Sequence, residues 1–317
     1  MWSLVSALFL GWTLGFNDSA NVVGTAVAVR VIDAMLAGII LLVFATLGAV
    51  VGGIGGMKTI SSFGSQTALT AFVITLAAAL AVRGANRFGI PVSTSQAVVG
   101  GVLGAGLVNG RLNLSPLVKV VMSWVLTPVF GALFAALLYL AFRPITRPFR
   151  RSILHWDEMV WWGTVIAAAF GAYSLGANNV ANVTGVFVAA GVLTPRLATI
   201  LGGLFIGLGG LSVGLLTAHS RKIFDTVGRG IVKLDSYAAF IAILGESLAV
   251  WLFSLLGVPV STTQALIGAV LGIGLITMPQ HINWGVLRKV VASWVLSPLV
   301  AGIISALGLG LCRLAGL

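Results

Sequence analysis

The stretch Gly15-Phe-Asn-Asp-Ser-Ala-Asn21 recurs 161 positions later as Gly176-Ala-Asn-Asn-Val-Ala-Asn182. Two more pairs follow in the same order and at nearly the same offset. They are Pro91-Val-Ser-Thr-Ser-Gln96 with Pro259-Val-Ser-Thr-Thr-Gln264, and Lys119-Val-Val-Met-Ser-Trp124 with Lys289-Val-Val-Ala-Ser-Trp294. Three ordered matches indicate an internal duplication, so each half is expected to fold as one copy of the same unit.

The composition is that of a membrane protein. Hydrophobic residues make up 59% of the 317 residues, and charged residues make up only 8%. A soluble protein needs far more charge to keep its surface solvated. Several nearly uncharged stretches of about 20 residues can each cross a bilayer core of about 30 Å as a helix. The first lies at the N-terminus without a basic leader, so we expect a membrane span there and not a cleaved signal.

These stretches predict an all-α polytopic fold with five helical segments in each half. The predicted segments are 3–28, 36–56, 66–88, 93–108 and 117–142, then 159–189, 197–217, 236–256, 261–276 and 285–312. Residues 143–158 read as a basic amphipathic linker at the membrane interface, so the repeats are 1–142 and 159–317. An odd number of spans per half gives two inverted-topology repeats. Segments 93–108 and 261–276 are short, so the sequence leaves open whether they span or are re-entrant.

The basic residues predict the orientation. If the N-terminus lies outside, 13 of the 18 lysines and arginines fall on the inner side and 5 on the outer side. Such a bias is typical of membrane proteins, so we expect a multi-pass plasma-membrane protein with both termini outside. The net charge of +11 does not indicate nucleic-acid binding, because the charges lie in short loops and not on one face.

Two clusters of polar residues lie inside predicted spans, where polar side chains are costly and usually functional. The first contains Asn17, Asp18 and Asn21, and the second contains Asn178, Asn179 and Asn182. Their amide, carboxylate and backbone oxygens are hard ligands that suit sodium. Glycines 15, 24, 176 and 185 would permit helix unwinding or close backbone approach. The alternative is that the amides only hydrogen-bond neighbouring helices.

The two Pro-Val-Ser-Thr segments are predicted helix starts. Ser93 with Gln96, and Ser261 with Gln264, have the spacing of a capping box. Capping alone does not explain the further hydroxyls at Thr94, Ser95, Thr262 and Thr263. A helix N-terminus carries unpaired N–H groups and a positive dipole end, which attract phosphate or sulfate. Two such termini aimed at the membrane midplane would form a neutral anion site.

Only two acidic residues lie well inside predicted spans, Asp18 and Glu246. Asn179 and Ala78 occupy the equivalent positions of the other half. This asymmetry suits a site that holds cations beside an anion. Glu246 has two alternative roles, as a protonated structural group or as a proton carrier. Residues 57–61 and 221–225 occupy matching places and could attract phosphate to an entrance.

At these residues the chain resembles the inorganic phosphate transporter family of sodium- or proton-coupled symporters. Its two Asn-rich stretches are similar to the family's paired Gly-Ala-Asn-Asp-x-Ala-Asn signature, and its two Pro-Val-Ser-Thr segments to the second signature. The resemblance implies an inverted-repeat fold and phosphate bound by the two Ser-Thr-Gln segments. It also implies sodium near the Asn-rich segments and a homodimer. Asn179 stands where the family signature has aspartate, and a glutamine replaces a common histidine.

The sequence therefore predicts a sodium-coupled phosphate symporter that works by alternating access, with one half moving against the other. A sulfate permease or a proton-coupled phosphate permease is the alternative within transport. A passive anion channel belongs to another class, and it would conduct without cation dependence. We expect neither an enzyme nor an organic cofactor, because the chain shows no Ser/His/Asp set and no metal cluster. Membrane lipid is the other expected partner.

Overall fold

The computed structural model describes residues 2–88, 92–110, 112–215 and 231–316. Within these ranges the regular structure is entirely helical, which confirms the all-α prediction. In the first half the helices are α1 (Leu4–Val22), α2 (Gly24–Ala28), α3 (Ala34–Gly52), α4 (Ile54–Ser61), α5 (Ala68–Arg87), α6 (Thr94–Asn109) and α7 (Ser115–Thr146). In the second they are α8 (Ile153–Ala189), α9 (Pro195–Leu215), α10 (Ser236–Leu255), α11 (Thr262–Thr277) and α12 (Trp284–Leu314).

Seven of the described helices are long and apolar enough to cross a membrane: α3, α5, α7, α8, α9, α10 and α12. The protein is thus a multi-pass membrane protein. Helices α6 and α11 have 16 residues each, a length of about 24 Å at about 1.5 Å per residue. Both are buried over most of their length. They are short helices enclosed by the longer ones, as the inverted-repeat plan requires.

Two of the predicted segments are interrupted in the structure. The first segment is interrupted at Val23, whose φ of −126° and ψ of −8° fall outside the helical region, whereas its counterpart α8 runs unbroken. The second segment stops at Gly52, and the chain resumes as α4, which carries Met57 and Lys58. Residues 57–61, a predicted phosphate entrance, are therefore helical. Residues 221–225, their counterparts in the second half, lie outside the described residues.

The junction between the repeats is mostly helical. Helix α7 continues to Thr146, a 3₁₀ turn covers Arg147–Arg151, and α8 begins at Ile153. Pro144 and Pro148 permit this change of helix type because a proline cannot donate the backbone hydrogen bond of a regular α-helix. The basic residues of the predicted linker therefore lie on ordered turns at the ends of two long helices.

The two repeats are intertwined. Equivalent helices α3 and α9 pack on each other, and each also packs on the first helix of the other repeat, α8 and α1 respectively. The last helix of each repeat packs on helices of the opposite repeat. Helix α12 of the second repeat packs on α5 and α6, and α7 of the first repeat packs on α10 and α11. Each short helix is therefore held by a long helix from the opposite half.

Glycines permit these close crossings. A side chain at Gly100 would overlap the carbonyl of Pro298, and one at Gly268 would overlap the carbonyl of Pro128. The same relationship joins α1 to α9 through Gly15, and α8 to α3 through Gly176. Small residues at such crossings let helix backbones approach within a bilayer. The polar clusters are thus fixed against the scaffold helices α3 and α9, and the short helices are fixed against α7 and α12.

Candidate substrate and ion site

The two Ser-Thr-Gln segments meet in the middle of the fold. The hydroxyl of Thr263, in the first turn of α11, donates to the carbonyl of Val92 at 3.1 Å. Val92 immediately precedes Ser93, the N-cap of α6. The N-termini of α6 and α11 are therefore adjacent, although they are 168 positions apart in the sequence. Both segments are buried, with the side chains of residues 93–96 and 261–264 exposed by 3% or less.

Each segment forms only part of the predicted capping box. The Ser93 hydroxyl accepts the backbone N–H of Gln96 at 3.3 Å, and the Ser261 hydroxyl accepts that of Gln264 at 3.2 Å. A complete box would also have the glutamine side chain accepting the backbone N–H of the serine. Among the described residues, the Oε1 atoms of Gln96 and Gln264 are buried without a hydrogen-bond partner. Capping therefore leaves both glutamine amides available to a ligand.

The first polar cluster lies against this junction. Asn17 donates from Nδ2 to the Asp18 carboxylate at 2.6 Å and to the Val92 carbonyl at 3.1 Å. Asn21 donates from Nδ2 to the same carboxylate at 3.2 Å and to the Thr263 hydroxyl at 2.9 Å. The two asparagines thus hold the carboxylate and connect it to both Ser-Thr-Gln segments. Their Oδ1 atoms are buried and have no partner in the described part of the chain.

The second polar cluster is arranged differently. Asn178 donates to the Val258 carbonyl at 3.2 Å and accepts the Val260 N–H at 3.0 Å, so it holds the backbone on both sides of Pro259. Asn182 donates to the Oδ1 atom of Asn179 at 2.9 Å. Asn179 thus takes the position of Asp18 as acceptor for the following asparagine, but without its charge. The structure therefore repeats the hydrogen bonds of the first cluster only in part.

Glu246 lies on α10 and is 1% exposed. Its Oε2 atom has no hydrogen-bond partner among the described residues. Helix α10 packs on α1, the helix that carries Asp18, so the two buried acids of the spans lie on neighbouring helices. Two like charges in a region of low polarity repel each other strongly unless a cation or a proton intervenes.

Sequence analysis missed some polar groups near the site. Thr25, on the short helix α2, is fully buried with an unpartnered hydroxyl among the described residues, and α2 packs on α10, the helix of Glu246. The hydroxyl of Thr59 on α4 donates to the carbonyl of Gly257 at 2.6 Å, just before the second Pro-Val-Ser-Thr segment. Thr25 follows Asn21 by four positions, which places both on one face of a helix. A single threonine in an apolar stretch is otherwise a weak sign of a functional site.

A model of the phosphate transporter family matches residues 14–157 and again residues 150–305. The chain belongs to the phosphate transporter family. The two matches follow the internal duplication, and the resemblance seen in the sequence is confirmed. This family consists of transporters, so the protein is a membrane transporter.

The names of similar proteins refer to two different substrates. A protein of Methanocaldococcus jannaschii, provisionally named a phosphate permease, is 32% identical over 95% of this chain and 94% of its own length. A sulfate permease of Bacillus subtilis is also 32% identical, over 96% of this chain and 86% of its own. A solved sodium-dependent phosphate transporter superposes with a TM-score of 0.83 at 25% identity, covering 99% of this chain and all of the other.

Proposed function

We propose that this transporter carries inorganic phosphate together with sodium by alternating access. The observation that carries the proposal is the contact between Thr263 and Val92, which brings two helix N-termini together beside a buried carboxylate. The proposed phosphate ligands are the eight residues 93–96 and 261–264. The proposed sodium ligands are Asn17, Asp18, Asn21, Asn178, Asn179, Asn182 and Glu246.

The helix N-termini account for anion binding without a basic residue. Backbone N–H groups and the positive ends of two helix dipoles favour negative charge. The unpartnered hydroxyl of Thr94 adds a side-chain donor, and the unpartnered Oε1 atoms of Gln96 and Gln264 add acceptors for a protonated oxygen of the anion. A neutral site of this kind binds an anion strongly only while its charge is balanced, which a co-bound cation provides.

Unpartnered oxygens favour a cation at the polar clusters. Asn17 and Asn21 orient their Nδ2 groups toward the Asp18 carboxylate and the adjacent helix. Their Oδ1 atoms, together with those of Asn182 and Glu246 Oε2, are buried without partners among the described residues. Oxygen atoms of amides and carboxylates are the ligands of hard cations. Sodium bound there would neutralise Asp18 and favour phosphate on the neighbouring helix ends.

Phosphate is favoured over sulfate by the acceptors in the site. Near neutral pH, inorganic phosphate still carries a proton, whereas sulfate carries none. A phosphate hydroxyl could donate to the Oε1 atom of Gln96 or Gln264, while sulfate would leave these buried acceptors unpaired, which costs free energy. Sulfate is the second candidate, because the Bacillus subtilis sulfate permease is as similar to this chain as the archaeal protein is. The helix ends alone would accept either anion.

The intertwined repeats indicate which parts move. Glycine contacts join α6 to α12 and α11 to α7 by their backbones, so these pairs should move as units. Each unit combines helices from both halves, and the rocking motion would occur between the two units instead of between the sequence halves. The membrane is expected to be the plasma membrane, with both termini outside, and a homodimer is the expected assembly.

The test is uptake of radiolabelled phosphate into proteoliposomes with an imposed sodium gradient, a proton gradient or no gradient, with excess sulfate as competitor. We expect sodium to drive uptake and sulfate to compete weakly. Gln264→Ala should abolish most uptake, whereas Gln280→Ala, an exposed glutamine beyond the same helix, should not. Sodium-independent uptake would instead favour proton coupling or a passive channel, and strong inhibition by sulfate would favour a sulfate permease.

A further inference from the structure

Four arginines surround an open pocket at the junction of the two repeats. The pocket has a volume of about 720 Å³ and is lined by Arg143, Pro144, Arg147, Arg150 and Arg151. All four arginine side chains belong to exposed or partly exposed residues. The described lining includes no acidic residue. Like charges gathered in one pocket repel each other, so the arrangement favours an anionic ligand.

Arg150 is held in place by aromatic rings. Its guanidinium carbon lies 4.7 Å from the centre of the Trp156 ring and 5.5 Å from that of Tyr237. The two rings lie 5.5 Å apart. Cation–π contacts of this kind orient a guanidinium without neutralising its charge. The pocket therefore contains at least one arginine that is pre-positioned and still able to pair with an anion.

The acidic residue of the adjacent pocket is engaged elsewhere. Asp235 lines an adjacent pocket together with Arg150, Ile153 and Trp156. Its carboxylate accepts the backbone N–H of Ala238 at 2.7 Å and so caps α10. An N-capping carboxylate already has a favourable partner in the helix dipole. Asp235 shares a pocket with Arg150 but does not line the pocket that contains Arg147 and Arg151.

The pocket lies at the depth of the lipid headgroups. Helix α7 has 32 residues, a length of about 48 Å at about 1.5 Å per residue, compared with about 30 Å for the hydrocarbon core. The helix must therefore extend beyond the hydrocarbon region, and the charged arginines place its C-terminal turns outside that region. Large apolar side chains alternate with the arginines there, and Ile153 and Leu154 are 79% and 80% exposed. Ile145 and Phe149 are also exposed.

We propose that this pocket binds the headgroup of an anionic membrane lipid that carries a phosphomonoester, with phosphatidic acid as the simplest example. A phosphomonoester offers three oxygens and up to two charges, and guanidinium groups bind it through paired hydrogen bonds. The exposed apolar residues beside the arginines would lie against the acyl chains. None of the residues proposed for phosphate or sodium transport lines the pocket, so this site is separate from the transport site.

The apolar residues distinguish a lipid from free phosphate. A free anion would use the arginines alone and would gain nothing from Ile153 and Leu154. A soluble acidic protein would have to displace lipid from those side chains. A lipid headgroup satisfies both the charge and the apolar surface at once.

The test is native mass spectrometry of the full chain with phosphatidic acid, phosphatidylglycerol or phosphatidylcholine of identical acyl chains. We expect the wild type to retain phosphatidic acid most strongly. Arg147→Gln with Arg151→Gln should weaken this binding roughly 30-fold, because each arginine near a lipid surface contributes about a fivefold factor. The control, Arg288→Gln with Lys289→Gln, removes the same charge from exposed residues at the start of α12 and should retain the lipid.

Equal loss in the control pair, or no loss in the Arg147/Arg151 pair, would overturn the proposal. Displacement of the lipid by inorganic phosphate at the same concentration would show a free-anion site and would also overturn it. If the double variant fails to fold, Arg151→Gln alone should weaken binding roughly fivefold. Binding is measured without transport, so the outcome is independent of the proposed phosphate uptake.

Discussion

The hydroxyl of Thr263 bonds to the carbonyl of Val92 at 3.1 Å, and through this contact the second repeat reaches the first at the start of both short helices. Asn21 donates to the same hydroxyl at 2.9 Å. One threonine side chain thus joins α11, the segment before α6 and the polar cluster on α1. The bond from Asn21 to Thr263 joins a proposed cation ligand directly to a proposed anion ligand.

Removing this hydroxyl should weaken phosphate binding. In Thr263→Val the shape of the side chain is retained, but the hydrogen bonds to the carbonyl of Val92 and from the amide of Asn21 are lost. Asn17 still donates to that carbonyl, and Asn21 still donates to Asp18. Each lost hydrogen bond contributes about 0.5–1.5 kcal/mol, so we expect the KM for phosphate uptake to rise by roughly tenfold. Thr277→Val, at the far end of the same helix, removes a hydroxyl whose one partner among the described residues is the carbonyl of Ile273. An equal rise in KM in both variants would argue against the proposed role.

Asp18→Asn should remove the effect of sodium on phosphate uptake. The substitution keeps the size of the side chain and deletes the only charge in the first polar cluster. Loss of a carboxylate ligand in a poorly polar region should weaken sodium activation by at least about tenfold. The measurement is uptake at increasing sodium concentration.

Asp33→Asn is the matched control for this variant. Asp33 is exposed and caps α3 by accepting from the N–H groups of Met35 and Leu36. Asparagine caps a helix about as well as aspartate does, so the control should keep its sodium dependence. Unchanged sodium activation in Asp18→Asn would remove Asp18 from the cation site.

Gly268→Ala should destabilise the protein. The added methyl group would overlap the carbonyl of Pro128 and push α11 away from α7. Overpacking of this kind typically costs about 1–3 kcal/mol, which should lower the melting temperature in detergent. Gly84→Ala is the control, because nothing lies within 4 Å of a side chain there and α5 continues through it. Alanine at that position should be neutral or stabilising. Equal melting temperatures for both variants would contradict the tight crossing.

Cys312 offers a test of the orientation, since it is the only cysteine in the sequence. It is partly exposed and lines a pocket with Gln66 and Arg313 near the end of α12. With both termini outside, a membrane-impermeant maleimide should label it in intact cells. In the Cys312→Ser background, a cysteine introduced by His155→Cys at the junction between the repeats should react only after permeabilisation. The reverse labelling pattern would show that both termini lie inside and would contradict the proposed topology.

The sequence predicted most of the helices because apolar stretches of membrane length and polar breaks are local signals. It did not predict the break at Val23 or the helix α4. Both depend on packing between segments, since α4 lies against α8 and the loop at Gly257. Hydropathy describes how each stretch interacts with lipid. It contains no information about which helices pack against each other.

The sequence alone determined the duplication, the membrane setting and the residue types of the site, because repeats and polar residues in apolar helices can be read locally. The tertiary structure alone decided how these residues combine. It placed α12 on α6 and α7 on α11, joined Thr263 to Val92, and used Asn178 to hold the backbone around Pro259. These contacts connect residues as far apart in the sequence as Gly100 and Pro298. They arise because glycine-lined helices from opposite repeats can approach closely enough for buried polar groups to pair.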